Sequence, residues 1–214
     1  MSTIVAVMDR PGFQANTDIL VLVQPGVQRL LWVPRDLWCE TLQDRINEAY
    51  KAGGPGLLGR ALHEHGLQAD HSLCLTRTAT EAALEGIEVT VPVPARMEFS
   101  YPLTPASRIE DGSKQVTFIP PAEVLRGERI HQWIGARGGS DLHRIERQKV
   151  FLRRLLEIRF DFDRVMRSPE EYQLSGPEAL EDLNLVRQDW AFETLSPIVP
   201  QEIAGKKVLV RPRP

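Results

Sequence analysis

The order of apolar and polar positions predicts a chain of short strands followed by helices. Thr3 to Met8 is an apolar run closed by Asp9-Arg10-Pro11-Gly12, a turn signature, and reads as a strand. Ile19 to Gln24 is a second β-rich run, closed by Pro25-Gly26, and Gln28 to Val33 follows at once. Runs joined by Pro-Gly predict a hairpin. Leu42 to Lys51 places Leu42, Ile46 and Ala49 on one side of a predicted helix, which Gly53-Gly54-Pro55-Gly56 breaks. Pro55 suits the start of a second helix, Leu57 to His65, and Gly66 suits its C-terminal cap. Leu73 to Leu75 reads as a strand and Thr78 to Leu84 as a short helix.

Ile87 to Pro94 alternates cleanly and predicts a half-buried strand, with prolines that favour a sheet edge. Pro102 to Gly112 reads as loop, Gln115 to Phe118 as strand and Pro121 to Arg126 as a helical turn. The strongest element is a helix from Asp141 to Ile158, with Ile145, Phe151, Leu152, Leu155, Leu156 and Ile158 in its apolar set. A helix over Pro177 to Trp190 and a strand over Lys207 to Val210 complete the pattern. Strands and helices mix without strict βαβ alternation. The expected fold is therefore α/β, a single three-layer α-β-α domain with a central mixed sheet.

Composition narrows the classes. With 214 residues and 42% hydrophobic content, the chain can bury a core without a metal or disulfide staple. A net charge of −3 gives no global basic field, so no nucleic-acid partner is expected. Of the 26 basic residues all but five are Arg, whose planar fork grips carboxylate or phosphate through two hydrogen bonds. A lineage bias towards Arg accounts for this equally well. Cys39 and Cys74 lack CxxC spacing; a pairing between them stays open, and two free thiols in a reducing compartment is the simpler reading. No apolar run approaches the ~20 residues of a spanning helix.

Three clusters could carry chemistry. Asp9 follows the first strand and Asp18 opens the second, so a hairpin brings both carboxylates to one sheet edge. Paired carboxylates together with substrate phosphates are how Mg²⁺ is usually held. The alternative is a turn residue and a solvated strand end. Arg35-Asp36 follows a strand and a proline at the sheet's rim, where sites on α/β proteins tend to sit, or is itself a solvated strand end. The third cluster runs from Arg137 to Gln148. Gly138-Gly139 supplies a turn, and Ser140 or Asp141 can cap the following helix. Asp141, Arg144 and Gln148 share one helix face, with Arg147 beside them. Arg at a helix N-terminus opposes the dipole, which argues for an anion there; a solvated charged face is the alternative. His63 and His65 point different ways on a helix, and His131 and His143 lie near the Arg cluster.

Six segments in order resemble the LytR–CpsA–Psr family of cell-envelope phosphotransferases. They are Ile4-Val-Ala-Val-Met-Asp9, Asn16-Thr-Asp18-Ile-Leu-Val, Pro34-Arg35-Asp36, Arg45-Ile-Asn47-Glu-Ala-Tyr50 with Gly53-Gly54, Glu85-Gly-Ile-Glu-Val-Thr-Val-Pro92, and Asp141-x-x-Arg144-x-x-Arg147-Gln148. The resemblance implies an LCP-like domain over residues 1–160, with residues 161–214 as an extension packing on it. It implies a polyprenyl pyrophosphate held in an apolar pocket beside the sheet, with a glycan acceptor as second partner. Asp9 and Asp18 would hold Mg²⁺. Arg35, Asp36, Arg137 and Arg144 would be catalytic, and Arg45, Asn47, Asp141, Arg147 and Gln148 would bind substrate.

The match has departures. Asn16 and Gly135 stand where the family has Arg, and Arg45 where it has Lys. Each lost cation removes charge-assisted bonds of roughly 1.5–3 kcal/mol. If both act in the transition state, the rate falls by roughly two to four orders of magnitude. Three expectations follow: a phosphotransferase of reduced activity, a non-catalytic polyprenyl-phosphate-binding or regulatory relative, or an interaction protein that keeps only the fold. With Met1 as natural start the chain is expected to be soluble and cytoplasmic; with an upstream anchor, membrane-tethered and extracytoplasmic.

Overall fold

A computed structural model describes residues 1–138 and 141–212. The N-terminal hairpin forms as expected. β1 (Thr3–Met8) pairs antiparallel with β2 (Thr17–Gln24), which pairs antiparallel with β3 (Arg29–Trp32). Alternate residues face opposite ways. Ile4, Ala6, Leu20 and Leu22 enter one core, while Val21, Val23, Leu30 and Trp32 enter another.

The next segment departs from its pattern. β4 (Trp38–Cys39) and β5 (Asp44–Arg45) form a small antiparallel clasp, and a 3-10 turn at Ile46–Glu48 leads into α1 (Ala49–Glu64). The helix expected from Leu42 therefore starts at Ala49. Tertiary hydrogen bonds override the helical spacing: Ile46 N–H donates to the Leu37 carbonyl at 2.7 Å, and Asn47 N–H to that of Arg35 at 3.2 Å. The break at Gly53-Gly54 is present, with Gly54 at φ 62°.

β6 (His71–Leu75) runs parallel to β1 and leads into α2 (Arg77–Ala83), capped by Thr76 Oγ1, which accepts the Ala79 N–H at 3.2 Å. β7 (Val89–Pro92) alternates buried and exposed as read. β8 (Met97–Pro102) pairs with β9 (Ser113–Phe118), and β10 (Ala122–Leu125) pairs with β7. The helical turn expected at Pro121 to Arg126 is thus a strand, because the open edge of β7 supplies it with a ladder partner.

α3 (Glu128–Gly135) was not anticipated, whereas α4 (Asp141–Glu157) begins where expected. The cap predicted at Ser140 and the second glycine of the Gly138-Gly139 turn lie outside the described residues. β11 (Tyr172–Leu174), α5 (Glu178–Asn184), β12 (Ala191–Thr194), β13 (Val199–Ile203) and β14 (Lys206–Val210) complete the chain. The last predicted helix stops at Asn184, short of Trp190.

The central sheet has the order β11-β6-β1-β2-β3-β12 and is mixed. Leu58, Ala61 and Leu62 of α1 cover one face; Ala79 of α2, Ile145 of α4 and Leu180 of α5 cover the other. These layers are the expected α-β-α arrangement. Burial of each such Leu or Ile contributes roughly 1.5–3 kcal/mol. Residues beyond 160 supply both outer strands, so they are built into the sheet. A third cluster lies among β7 to β10, α3 and the second half of α4. Among the described residues, no helix is long and apolar enough to cross a membrane.

Candidate active site

β1, β3 and β6 point the same way, and their carboxyl ends open at one edge of the sheet. Open α/β sheets bind ligands at such an edge. Asp9 follows β1, Arg35 follows β3 and Arg77 follows β6, so the topology alone gathers them. Asp18 joins them because the hairpin returns there, with Asp9 N–H donating to the Asn16 carbonyl at 2.8 Å.

The cleft at this edge has a volume of about 270 Å³. Asp9, Asp18, Arg35, Arg45, Asn47 and Arg137 all line it. Basic side chains outnumber acidic ones along the wall, although the whole chain carries −3. The cleft is therefore locally basic in a mildly acidic protein.

Its centre is a knot of ion pairs. Asp18 Oδ1 accepts from Arg35 Nη1 at 2.8 Å and lies 3.1 Å from Arg144 Nη1. Asp141 pairs with Arg144 and accepts the Arg35 backbone N–H at 3.0 Å. One carboxylate from β2, one turn after β3 and the first turn of α4 are thereby locked together. Arg144 and Asp141 stand behind the cleft wall and hold Arg35 and Asp18 in place. Asp36 lies 3.6 Å from Arg45 and 4.0 Å from Arg35, as a bridge between those two cations.

Burial alone would raise the Asp18 carboxyl, but Arg144 and Arg35 outweigh it and hold the group below its ordinary value. Asp9 goes the other way. Burial, and next the charge of Asp18, raise it, while Arg10 at 3.3 Å only partly offsets them. Burial also raises Asp141. Burial, and then repulsion from Arg35, lower Arg137. Arg35 is raised despite burial, because Asp18, Asp36 and Asp141 surround it.

Several polar atoms here are buried without a hydrogen-bond partner among the described residues: Arg35 Nε, Arg45 Nε, Arg144 Nε and Asn47 Oδ1. An unsatisfied buried donor costs about 1–3 kcal/mol. Of these residues Arg35, Arg45 and Asn47 line the cleft, while Arg144 lies behind its wall.

Two predicted binding residues sit elsewhere. Arg147 Nε donates to the Trp133 carbonyl at 2.8 Å, its Nη2 donates to that of Ala136, and its guanidinium stacks 4.2 Å from the Phe99 ring. Burial, and then Arg144, lower it to about 10. Gln148 Nε2 donates to the Ile134 carbonyl at 3.1 Å. Both satisfy orphan carbonyls at the end of α3; neither lines the charged cleft, and Gln148 lines the apolar cavity beside it. They fix the backbone leading to Arg137.

The cleft also contains Arg10, Lys51, Arg77, Arg108 and His131, of which the sequence reading singled out only His131. Arg77 bridges Glu81 at 2.7 Å and Glu128 at 2.6 Å. Its placement after β6, at the same sheet edge, was the available signal. His131 is pushed down to about 3 by burial and then by Arg77, so it is neutral at physiological pH.

Beside the cleft is an apolar cavity of about 150 Å³ on the α2–α4–α5 side of the sheet. Val7, Ile19, Thr80 and Ile134 belong to both walls. A charged mouth thus passes directly into a hydrocarbon-lined space.

The fold and this site define an α/β protein with an anion cleft joined to an apolar cavity. The LytR_cpsA_psr family profile matches residues 10–184, and the chain belongs to that family. Among solved structures it is similar to TagT bound to LI-WTA, at 19% identity and a TM-score of 0.70, covering 98% of this chain and 83% of that one. It is similar to Bacillus subtilis TagV at 16% identity and a TM-score of 0.68, covering 99% and 91%. A Streptococcus agalactiae protein, gbs0355, aligns at 13% identity with a TM-score of 0.70, covering 99% and 82%. At these identities the likeness is one of fold. The search of curated proteins returns no match.

Proposed function

We propose that this protein binds a glycan-bearing polyprenyl diphosphate and transfers the glycan phosphate to a hydroxyl of a cell-envelope acceptor. The observation that carries this reading is the shared wall between the cationic cleft and the apolar cavity. A diphosphate with a long hydrocarbon tail has the same two-part chemistry. The related fold of TagT, solved with LI-WTA, supports it.

In this reading Arg35, Arg45 and Arg137 grip the diphosphate oxygens. Asp18, Asp36, Asp141 and Arg144 keep Arg35 and Arg45 aimed, while Arg147 and Gln148 anchor the end of α3. Asn47 Oδ1 faces the acceptor or sugar as a hydrogen-bond acceptor. The acceptor oxygen bonds to the glycan-side phosphorus, the bond from that phosphorus to the bridging oxygen breaks, and the hydroxyl proton passes to the departing lipid phosphate. The guanidinium groups stabilise the charge on the transferred phosphoryl and on the departing lipid phosphate.

Asp9 and Asp18, which line the same cleft, are the residues that would hold Mg²⁺. Burial, and then the charge of Asp18, hold the Asp9 carboxyl above its ordinary value, and a cation between the two would relieve that repulsion. When bound, Mg²⁺ would supply Lewis-acid polarisation of the phosphoryl oxygens.

A second reading, binding without transfer, is favoured by Asn16 and Gly135. Asn16 gives its amide to Glu48 Oε1, placing a carboxylate where the family has a cation. A thermal-shift titration with a polyprenyl diphosphate, with and without Mg²⁺, tests the binding; chromatography of released lipid monophosphate tests the transfer. A shift with Mg²⁺-dependent release is the expected result. Stabilisation without release selects the second reading, and no shift in either condition removes both.

A further inference from the structure

The last two strands stand apart from the central sheet. β13 and β14 form a two-stranded hairpin of their own. All of β13 but Ile203 is exposed. β14 turns Val208 inward, at 3% exposure, and packs Leu209 against the first core. The hairpin's polar contacts fall along the rim of the charged cleft. Leu209 N–H donates to the Asp36 carbonyl at 2.9 Å, and Leu209 bridges to Leu37 in parallel. Lys206 Nζ donates to Asp44 Oδ2 at 2.6 Å. The Lys207 carbonyl accepts from Arg45 Nη2 at 2.8 Å. Just beyond β14, Arg211 donates to the His65 carbonyl at the end of α1.

Arg45 is where these contacts meet the site. It lines the cleft, and its side chain is 32% exposed. A long, partly exposed arginine that turns freely has many rotamers to lose when an anion arrives. Here two neighbours restrict it. Asp36 Oδ1 stands 3.6 Å from Nε, and the Lys207 carbonyl occupies one N–H of Nη2. The planar guanidinium carries further donors in a fixed fork. Nε itself is buried and has no hydrogen-bond partner among the described residues. The hairpin therefore holds Arg45 directly, and through Leu209 it fixes the backbone of Asp36, the carboxylate beside Arg45.

We propose that the C-terminal hairpin positions Arg45 for the diphosphate, with the Lys207 carbonyl as the fixed point from which the guanidinium offers its remaining donors to the cleft. This inference rests on the lipid-diphosphate reading above. It gives residues 199–210 a part in recognition although none of them lines the cleft. Linkage makes the effect reciprocal: an anion held by Arg45 strengthens the docking of the hairpin by the same factor.

The test uses the full chain, with farnesyl diphosphate as probe. Val208→Asp puts a carboxylate into an apolar seat outside the cleft and loosens the hairpin. Its expected effect is a loss of about fivefold or more in affinity. A loss that acts through Arg45 disappears when there is no side chain to position. In an Arg45→Ala background the same substitution is therefore expected to cost less than about twofold. Equal losses in both backgrounds mark general damage and overturn the proposal. Unchanged affinity in Val208→Asp, with hairpin amides exchanging faster, overturns it as well. Because a buried carboxylate can unfold the chain, a second measurement uses the unaltered protein. Saturating farnesyl diphosphate is expected to slow hydrogen exchange of the Leu209 amide by about fivefold or more, read by NMR. An unchanged rate with the probe bound overturns the hairpin's role and leaves the diphosphate site in place. Failure of the probe to bind the unaltered protein removes both.

Discussion

At the residue scale the protein depends most on Asp18 and the two guanidinium groups that share it. Arg144 has a side chain only 6% exposed, and Asp18 11%. Removing one partner of such a buried pair leaves a charge without compensation. Arg144→Ala is expected to lower stability by roughly 3 kcal/mol, read as a shift in the thermal denaturation midpoint, and to release Arg35 from its aim. Asp9 predicts the opposite sign. Its carboxyl is raised in the folded protein, so the native state binds its proton more tightly than the unfolded chain. The resulting penalty is absent below the unfolded value near 4 and present above it. Asp9→Asn therefore stabilises the protein at pH 7, and denaturation midpoints measured across pH should show that gain vanishing below about pH 4. Gly135 offers a third test. A Cβ there meets only Asp18 Oδ2, at 3.4 Å, and the residue ends α3, where the dipole favours a cation. Gly135→Arg is expected to tighten diphosphate binding by about tenfold or more; an unchanged titration would show that a cation there has no part in anion recognition.

At the element scale, α3 and α4 explain both what the sequence revealed and what it concealed. α4 was legible because its apolar residues repeat over many turns, and its first turn does hold Asp141 and Arg144 at the knot. Helical spacing also placed Arg147 and Gln148 on that face, and both are buried there. What spacing could not show is that α3 lies across them, so their donors meet carbonyls before they reach the cleft. α3 itself carries a readable signal, since Ile130, His131, Trp133 and Ile134 are its buried positions at helical intervals. The polar residues between them, and its short length, masked it. β8 was missed although Phe99 and Tyr101 point inward between polar neighbours, because the adjoining prolines read as loop. Arg147→Lys tests the anchoring role. Lysine lacks the fork that reaches the Trp133 and Ala136 carbonyls together. The expected result is faster amide exchange at the end of α3 together with weaker diphosphate binding. Slower binding loss than in Arg35→Ala, with exchange unchanged, would assign Arg147 to packing on Phe99 alone.

At the scale of the whole molecule, the hairpin of β1 to β3 was fully legible, since period-two alternation over three neighbouring runs leaves one solution. The site's carboxylates were legible with it, because antiparallel pairing returns Asp18 to Asp9. The outer strands were not. β11 and β12 are short and half-buried, and each is a strand only because a long-range partner, β6 or β3, offers it a ladder. A chain ended at residue 160 lacks both, along with α5, whose Ala179, Leu180 and Leu183 cover the sheet. Such a truncation is expected to aggregate or remain unfolded, which size-exclusion chromatography and circular dichroism will decide. The same arrangement bears on how the protein is made. β1 to β3 precede in the chain the strands that seal the sheet's flanks, β11 and β12. Until β11 and β12 are made, the nascent sheet stands with unpaired edges on β6 and β3. A helper that shields open ladders until β11 and β12 are made is therefore expected to raise the yield of folded protein.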